Sequence, residues 1–160
     1  MRINAFTDVC LRVAMLLAAA PDGVMLTSRV IADGVDTPYN HVSKAIIRLR
    51  ELQVVEVVRG RFGGVRISAG GRDTTVGWLM RRLDTRADVA DCETSHGDCP
   101  LSGNCGLRAA LSRAREAFYS ELDDTTISGL VPRRGSGPVA LTLRTMIGNA
   151  PSDRAGCASV

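Results

Sequence analysis

Three cysteines lie close together in the stretch DCETSHGDCPLSGNC, which runs from Asp91 to Cys105. They are Cys92, Cys99 and Cys105, in the order C-x6-C-x5-C. Glycines and a proline within the stretch predict a loop, which can curl so that three sulfurs meet one metal centre. A structural zinc site or an iron–sulfur cluster usually takes four protein ligands. The stretch therefore lacks one ligand.

The spacing of the cysteines favours an iron–sulfur cluster over zinc. Zinc sites usually contain tight C-x2-C pairs, which the stretch lacks. The metals of a cluster are spread over a larger volume and accept wider spacings. A zinc ion held by the three cysteines and His96 stays open as an alternative.

Composition predicts a folded protein of the cytoplasm. The chain has 160 residues, of which 45% are hydrophobic. Its longest apolar run, VAMLLAAA, is far shorter than the ~20 residues that a membrane span needs. Asp8 and Arg12 just before this run do not fit a secretory signal. In a reducing compartment, cysteines are more often ligands or reactive thiols than disulfides.

Hydrophobic periodicity predicts two helices near the N-terminus. The first covers residues 4–20 with Asn4 as a possible N-cap, and the second covers 27–33 with Thr27 or Ser28 as its cap. Gly34 is expected to end the second helix.

A third helix is predicted in VDTPYNHVSKAIIRLREL. Thr37 can cap it and Pro38 fits its first turn. Two short helices joined by a glycine-containing turn match the helix-turn-helix plan. The buried stripe of the third helix should comprise Val42, Ala45, Ile46 and Leu49.

The pattern then changes from helix to strand. Val54–Val58 is short and β-branched, Arg59–Gly64 contains three glycines, and Val65–Ser68 alternates apolar with polar residues. These segments predict a β-hairpin with a basic tip. The fold class is therefore mainly α with a small β-hairpin, as in a winged helix-turn-helix domain.

The distribution of charge points to double-stranded DNA as a partner. The net charge is only +3, but residues 41–66 carry six basic and two acidic residues. A basic surface suits a polyanion, although an ordinary solvated face has the same composition. The third helix offers polar side chains for a major groove, and the hairpin tip offers arginines for a minor groove. The candidate DNA contacts are Arg29, Tyr39, Asn40, His41, Ser43, Lys44, Arg48, Arg59 and Arg61.

Two further helices are predicted on either side of the cysteine stretch. One begins near Asp73 or Thr74, and a long one follows Cys105. The long helix has more apolar surface than a small domain needs, so we expect it to pair with its copy in a homodimer. A dimer implies a palindromic operator. We divide the chain into a winged-helix domain (1–72), a segment with the cysteine loop and dimerisation helix (73–131) and a poorly ordered tail (132–160).

Several motifs together resemble a known family. The sequence is similar to the iron–sulfur winged-helix transcription regulators of the group that contains NsrR and IscR. The resemblance covers roughly residues 1–131. The combination of RGRFGGVRIS with the three-cysteine stretch is the feature most specific to the family. FTDVCLR and VGWLMRRLDTRADVADCE look most like the actinobacterial, nitric-oxide-sensing type within this group.

The resemblance implies a homodimer with one cluster per subunit, [4Fe–4S] rather than [2Fe–2S]. It also implies that the fourth ligand is an aspartate from the first helix of the other subunit. The matching residue is Asp8. Cys10 and His96 remain alternatives. Each residue of a helix is rotated by ~100° about the axis, so the side chains of Asp8 and Cys10 point about 160° apart. They cannot both face one ligand position.

We expect a transcriptional repressor that senses nitric oxide, with nitrosylation of the cluster releasing it from its operator. An iron–sulfur regulator that senses cluster status or redox stress, and a zinc-stabilised winged-helix DNA-binding protein, are the alternatives. An enzyme is not expected. Only His41 and His96 could serve as imidazole bases, and no substrate pocket is suggested.

Overall fold

The structure is a computed structural model that describes residues 3–85, 93–94, 97–99 and 105–131. The predicted tail (132–160), Cys92 and His96 lie outside these residues. The helices are α1 (Ala5–Ala19), α2 (Ser28–Gly34), α3 (Tyr39–Glu51), α4 (Ala69–Asp73), α5 (Val76–Leu83) and α6 (Gly106–Glu121). The strands are β1 (Val55–Val58), β2 (Gly64–Ile67), β3 (Glu93–Thr94) and β4 (Gly97–Asp98). Two 3-10 helices follow α6, at Leu122–Asp124 and Ser128–Leu130.

The helix caps follow the sequence with one exception. The Asn4 side chain accepts a hydrogen bond from the backbone N–H of Phe6 at 2.9 Å, and Thr27 caps α2. The prediction that Thr37 caps α3 was wrong. Pro38 occupies the N-cap position, and the Thr37 hydroxyl donates to the carbonyl of Val35 at 3.1 Å. Proline is tolerated there because the first helical N–H groups have no partner within the helix.

Helices α1, α2 and α3 share the hydrophobic core. The predicted stripe of α3 is confirmed, because all four of its residues are buried. The opposing helix α1 buries most of its length, including Cys10. Helices α1 and α3 pack directly on each other. Because a close-packed core transmits strain, a displacement of α1 would also displace α3.

The predicted hairpin is confirmed. Strands β1 and β2 pair antiparallel, with Val55 opposite Ile67 and Val58 opposite Gly64. Leu26, in the connection between α1 and α2, exchanges two backbone hydrogen bonds with Val65, at 3.0 and 2.8 Å. These bonds attach the wing, which is the hairpin of β1, β2 and the turn between them, to the helical part of the fold.

Helix α4 was not predicted from the sequence, which indicated a helix only from Asp73 or Thr74 onward. The Ser68 side chain caps α4 by accepting from the N–H of Gly71 at 2.8 Å. A Cβ at Gly71 would clash with the backbone carbonyl of Val54. The glycines that lower helix propensity are therefore compatible with a short helix that touches the start of the wing.

Helices α5 and α6 are joined through Arg81. Its guanidinium donates to both carboxylate oxygens of Asp123 at 2.8 and 2.9 Å and to Glu116 at 2.7 and 2.9 Å. Tyr119 of α6 is buried and donates to Asp84. A Cβ at Gly77 would clash with the Tyr119 carbonyl and the Asp123 carboxylate, so glycine permits this close approach.

Replacement of Gly77 by alanine should therefore separate α5 from α6. We expect Gly77→Ala to lower the free energy of unfolding by about 2 kcal/mol, measured by urea denaturation. Gly70→Ala is the matched control, because a Cβ at Gly70 meets open space. Its change should stay below ~1 kcal/mol. Equal effects of the two substitutions would contradict the packing role of Gly77.

Candidate metal centre and nucleic-acid interface

Two of the three loop cysteines lie within the described residues. Cys99 and Cys105 are both partly exposed, and both are free thiols. Between the first two cysteine positions the chain forms a short hairpin, with Glu93 paired to Asp98. The sequence pattern predicted only a loop here. The pairing turns the chain back on itself inside the C-x6-C segment.

Cys105 lies at the N-cap position of α6 and makes no capping hydrogen bond with its side chain. The first turn of α6 has no acidic residue. The positive end of a helix dipole favours a thiolate and an anionic metal–thiolate group at this position. Thiolate donors are also the chemistry that iron–sulfur clusters require. The residues present therefore fit such a cluster. Within the described residues, no three His, Cys, Asp or Glu side chains converge on a single metal position.

The two candidate ligands of α1 have opposite environments. The Asp8 side chain is 45% exposed and forms an ion pair with Arg12 at 2.8 Å. Cys10 is fully buried in the core. Burial raises the pKa of the Cys10 thiol to about 12, and the charge of Arg48 opposes this only in part. Cys10 thus behaves as a small apolar residue, and to bind metal it would have to leave the core.

Most of the predicted DNA contacts are exposed. This holds for seven residues on α2, α3 and the wing: Arg29, Tyr39, Asn40, His41, Lys44, Arg59 and Arg61. The Arg29 guanidinium lies 5.8 Å from the centre of the Tyr39 ring, so α2 and the start of α3 present one continuous surface. The arrangement offers hydrogen-bond donors and positive charge to a polyanion.

Ser43 and Arg48 depart from this pattern. The Ser43 hydroxyl oxygen is buried without a hydrogen-bond partner, so in this structure it is not presented at the surface. Its contact with DNA stays a prediction. Its short side chain lies at the edge of the buried stripe, where neighbouring residues cover it. Arg48 donates to the backbone carbonyl of Arg82 at 3.0 Å and to Glu51 at 3.1 Å. Arg48 therefore links α3 to the end of α5.

Two exposed apolar residues were missed. Ile47 is 50% exposed on α3, and Phe62 is 90% exposed on the wing. Ile47 is three residues from Lys44 and seven from Asn40, which places the three on the same outward face. The available signal was an isoleucine outside the apolar stripe. Its position suits contact with a thymine methyl group.

Comparison with known proteins agrees with this geometry. The profile of the family described as Rrf2, Iron-dependent Transcriptional regulator, matches residues 3–133. The chain belongs to the Rrf2 family. The resemblance noted from the sequence motifs is thereby confirmed.

Among curated Rrf2 relatives, the HTH-type transcriptional repressor NsrR of Streptomyces coelicolor is 49% identical over 144 residues. The alignment covers 89% of this chain and 96% of that protein. The HTH-type transcriptional regulator NsrR of Bacillus subtilis is 33% identical, over 84% of this chain and 92% of its own. This Rrf2 protein is therefore a DNA-binding transcriptional repressor of the NsrR type, and the relatives are named as regulators rather than enzymes.

Solved structures confirm the winged-helix fold. IscR of T. potens matches with a TM-score of 0.62 and 18% identity, covering 81% of this chain and 85% of that chain. The oxidised form of CymR from Staphylococcus aureus matches with a TM-score of 0.61 and 19% identity, covering 84% and 98%. Within the described residues of this Rrf2 chain, no helix has both the length and the apolar composition that crossing a bilayer requires.

Proposed function

We propose that this Rrf2 repressor senses nitric oxide through an iron–sulfur cluster, one [4Fe–4S] cluster per subunit of a homodimer. The observation that carries the proposal is the two-sided character of α1. Its outer side carries the partly exposed carboxylate of Asp8, and its inner side packs on the recognition helix α3. A single helix can therefore join a ligand site to the DNA-binding surface.

Cys92, Cys99 and Cys105 would hold the cluster, and Asp8 from the partner subunit would complete it. The position of Cys105 at the start of α6 and the exposure of Asp8 support this set, whereas the burial of Cys10 disfavours the alternative. When bound, the cluster supplies iron that reacts with nitric oxide, and a carboxylate is a harder and weaker ligand for that iron than a thiolate. Asp8 is therefore the ligand most easily displaced.

Signal transmission would follow the packing of α1. While Asp8 is held, α1 is fixed at its N-terminal turn and supports α3 from behind. When Asp8 is released, α1 loses that anchor. Because α1 and α3 share a close-packed core, a shift of α1 changes the position of α3 against the operator. Release from DNA follows.

The ligand assignment can be tested by anaerobic reconstitution with iron and sulfide. Cys99→Ala should lose most of its bound iron and sulfide. Asp8→Ala should retain a cluster but change its absorption spectrum and its rate of reaction with nitric oxide. Cys10→Ala should reconstitute like the unmodified protein.

Arg12→Ala is the matched control for Asp8, because it removes the ion pair but keeps the carboxylate. Its spectrum should match that of the unmodified protein. If Cys10→Ala alters the spectrum and Asp8→Ala does not, the assignment of Asp8 is refuted. Uptake of zinc without sulfide would refute the cluster itself.

The homodimer is supported by the apolar stripe of α6. The stripe comprises Leu107, Ala110, Leu111, Ala114 and Phe118. Leu107 is 65% exposed and Phe118 is 36% exposed, and Tyr119 is the one residue of α6 that is buried. The helix packs on its own chain mainly near its C-terminal end, through Tyr119 and the Arg81 contacts. A second copy of α6 is the partner of matching chemistry for a stripe of this kind.

A charge within the stripe should break the dimer. We expect Ala114→Glu to raise the dimer dissociation constant by at least ~100-fold, because the interface would bury an unpaired carboxylate. Ser112→Glu, which adds the same group at an exposed position off the stripe, should leave the constant within ~3-fold. Analytical ultracentrifugation measures both. Equal effects would argue against α6 as the interface.

Positive charge on the DNA-binding surface should contribute to operator affinity. We expect Lys44→Ala to weaken operator binding by ~10-fold or more and to lower the slope of log affinity against log salt by about 1 per half-site. Arg113→Ala, an exposed cation on α6, should change neither quantity. Fluorescence anisotropy at several salt concentrations gives both values. An unchanged slope for Lys44→Ala would contradict a phosphate contact.

A further inference from the structure

The tip of the wing is a tight turn that presents two side chains. The N–H of Gly63 donates to the carbonyl of Gly60 at 3.0 Å, so Arg61 and Phe62 occupy the two central positions of the turn. Gly60 has a φ of 116°, which only glycine adopts without strain. A Cβ at Gly63 would clash with the carbonyl of Val58. The two glycines therefore fix a compact tip that ends in Arg61 and Phe62.

Phe62 is the most exposed large hydrophobic residue among those that the structure describes. It is 90% exposed, and the next, Leu107, is 65% exposed. The guanidinium of Arg61 lies 5.8 Å from the centre of the Phe62 ring. An apolar ring and a cation therefore stand side by side at the outermost point of the hairpin. Burial of the exposed ring against a partner would therefore be favourable, because it removes apolar surface from water.

The surroundings of Phe62 indicate what covers it. The other tip residues are Arg59, Gly60, Arg61 and Gly63, so the neighbours of the ring within the turn are basic or have no side chain. Val58, just before the turn, is the nearest exposed apolar residue along the chain and is 44% exposed. A protein-docking surface would require more contiguous apolar area. The minor groove of DNA combines negative potential with apolar sugar walls and stacked base steps. Arginine and an aromatic ring side by side match both properties.

We propose that Phe62 is an apolar wedge that enters the minor groove of the operator and partly unstacks a base step beside Arg61. The inference rests on the proposed placement of the wing on DNA and extends it to a residue that carries no charge. Apolar wedges of this kind kink DNA toward the major groove. Pyrimidine–purine steps are the easiest to unstack, so the operator should carry TA or CA/TG steps where the two wings lie.

The test uses the full-length, cluster-loaded protein and DNA duplexes enriched by that protein from a random-sequence pool. Phe62→Ala should bind the enriched duplex ~10-fold or more weakly. The slope of affinity against salt should not change, because no charge is lost. Phe62→Leu should retain most of the affinity, since leucine also serves as a wedge. The thermal midpoint of each variant should match that of the unmodified protein.

A second measurement separates a wedge from simple contact with the groove. With 2-aminopurine placed at the outer TA or CA/TG step, the unmodified protein should raise the fluorescence of the base, and Phe62→Ala should not. Unchanged affinity of Phe62→Ala would overturn the inference, as would the absence of a fluorescence change with the unmodified protein. In both cases the enriched duplex would still support DNA recognition. If the unmodified protein enriches no duplex, the proposed operator binding fails and the inference fails with it.

Discussion

The packing of α1 on α3 is the constraint on which the rest of the structure depends. Both helices bury their apolar stripes in one core, and residues such as Val13 and Leu49 have no exposed surface. A core at this density does not deform gradually, so the two helices move together or not at all. The side of each helix that faces away from this core can carry functional side chains. Asp8 lies on the outer side of α1, and Lys44 lies on that of α3.

The junction of α5 and α6 has a different physical character. It depends on Arg81, whose guanidinium is held by two carboxylates and lies 5.6 Å from the centre of the Tyr119 ring. The hydrogen bond from Arg81 lowers the pKa of Glu116. A carboxyl group with a lowered pKa stabilises the fold above the ordinary glutamate range and loses this contribution as the pH falls through the lowered value. Because Glu116 is exposed, the contribution of its ion pair is small. The bonds from Arg81 to Asp123, the buried Tyr119 and the close approach at Gly77 also hold α5 and α6 together.

The sequence predicted those parts of the fold that follow from periodicity and capping. The apolar repeat located α1, α3 and α6, and β-branched runs around a glycine-rich turn located the wing. Helix α4 could not be predicted in this way, because its glycines are required by a close approach to Val54 that no local pattern records. The cap of α3 moved by one residue because Thr37 instead bonds backward to Val35.

The candidate site was predictable to a similar extent. Residue type identified the cysteines and most of the exposed basic surface. Side-chain burial, however, depends on the neighbours in space. Ser43 and Cys10 were both predicted as candidate functional residues, and both have buried side-chain atoms. Ser43 is polar but its hydroxyl is covered, and Cys10 is a potential ligand that serves as core. Ile47 and Phe62 were overlooked because apolar residues were assigned to the interior by default.

The hydrogen bond from Arg48 to the carbonyl of Arg82 gives α3 a fixed edge. It joins the C-terminal half of α3 to the end of α5. A body that is held at one edge and pushed from behind rotates about that edge. A displaced α1 would therefore tilt α3 instead of translating it, and the N-terminal end, with Tyr39 and Asn40, would travel farthest. In the proposed complex, a rotation of this kind would change the register of these residues with the base edges without unfolding the domain.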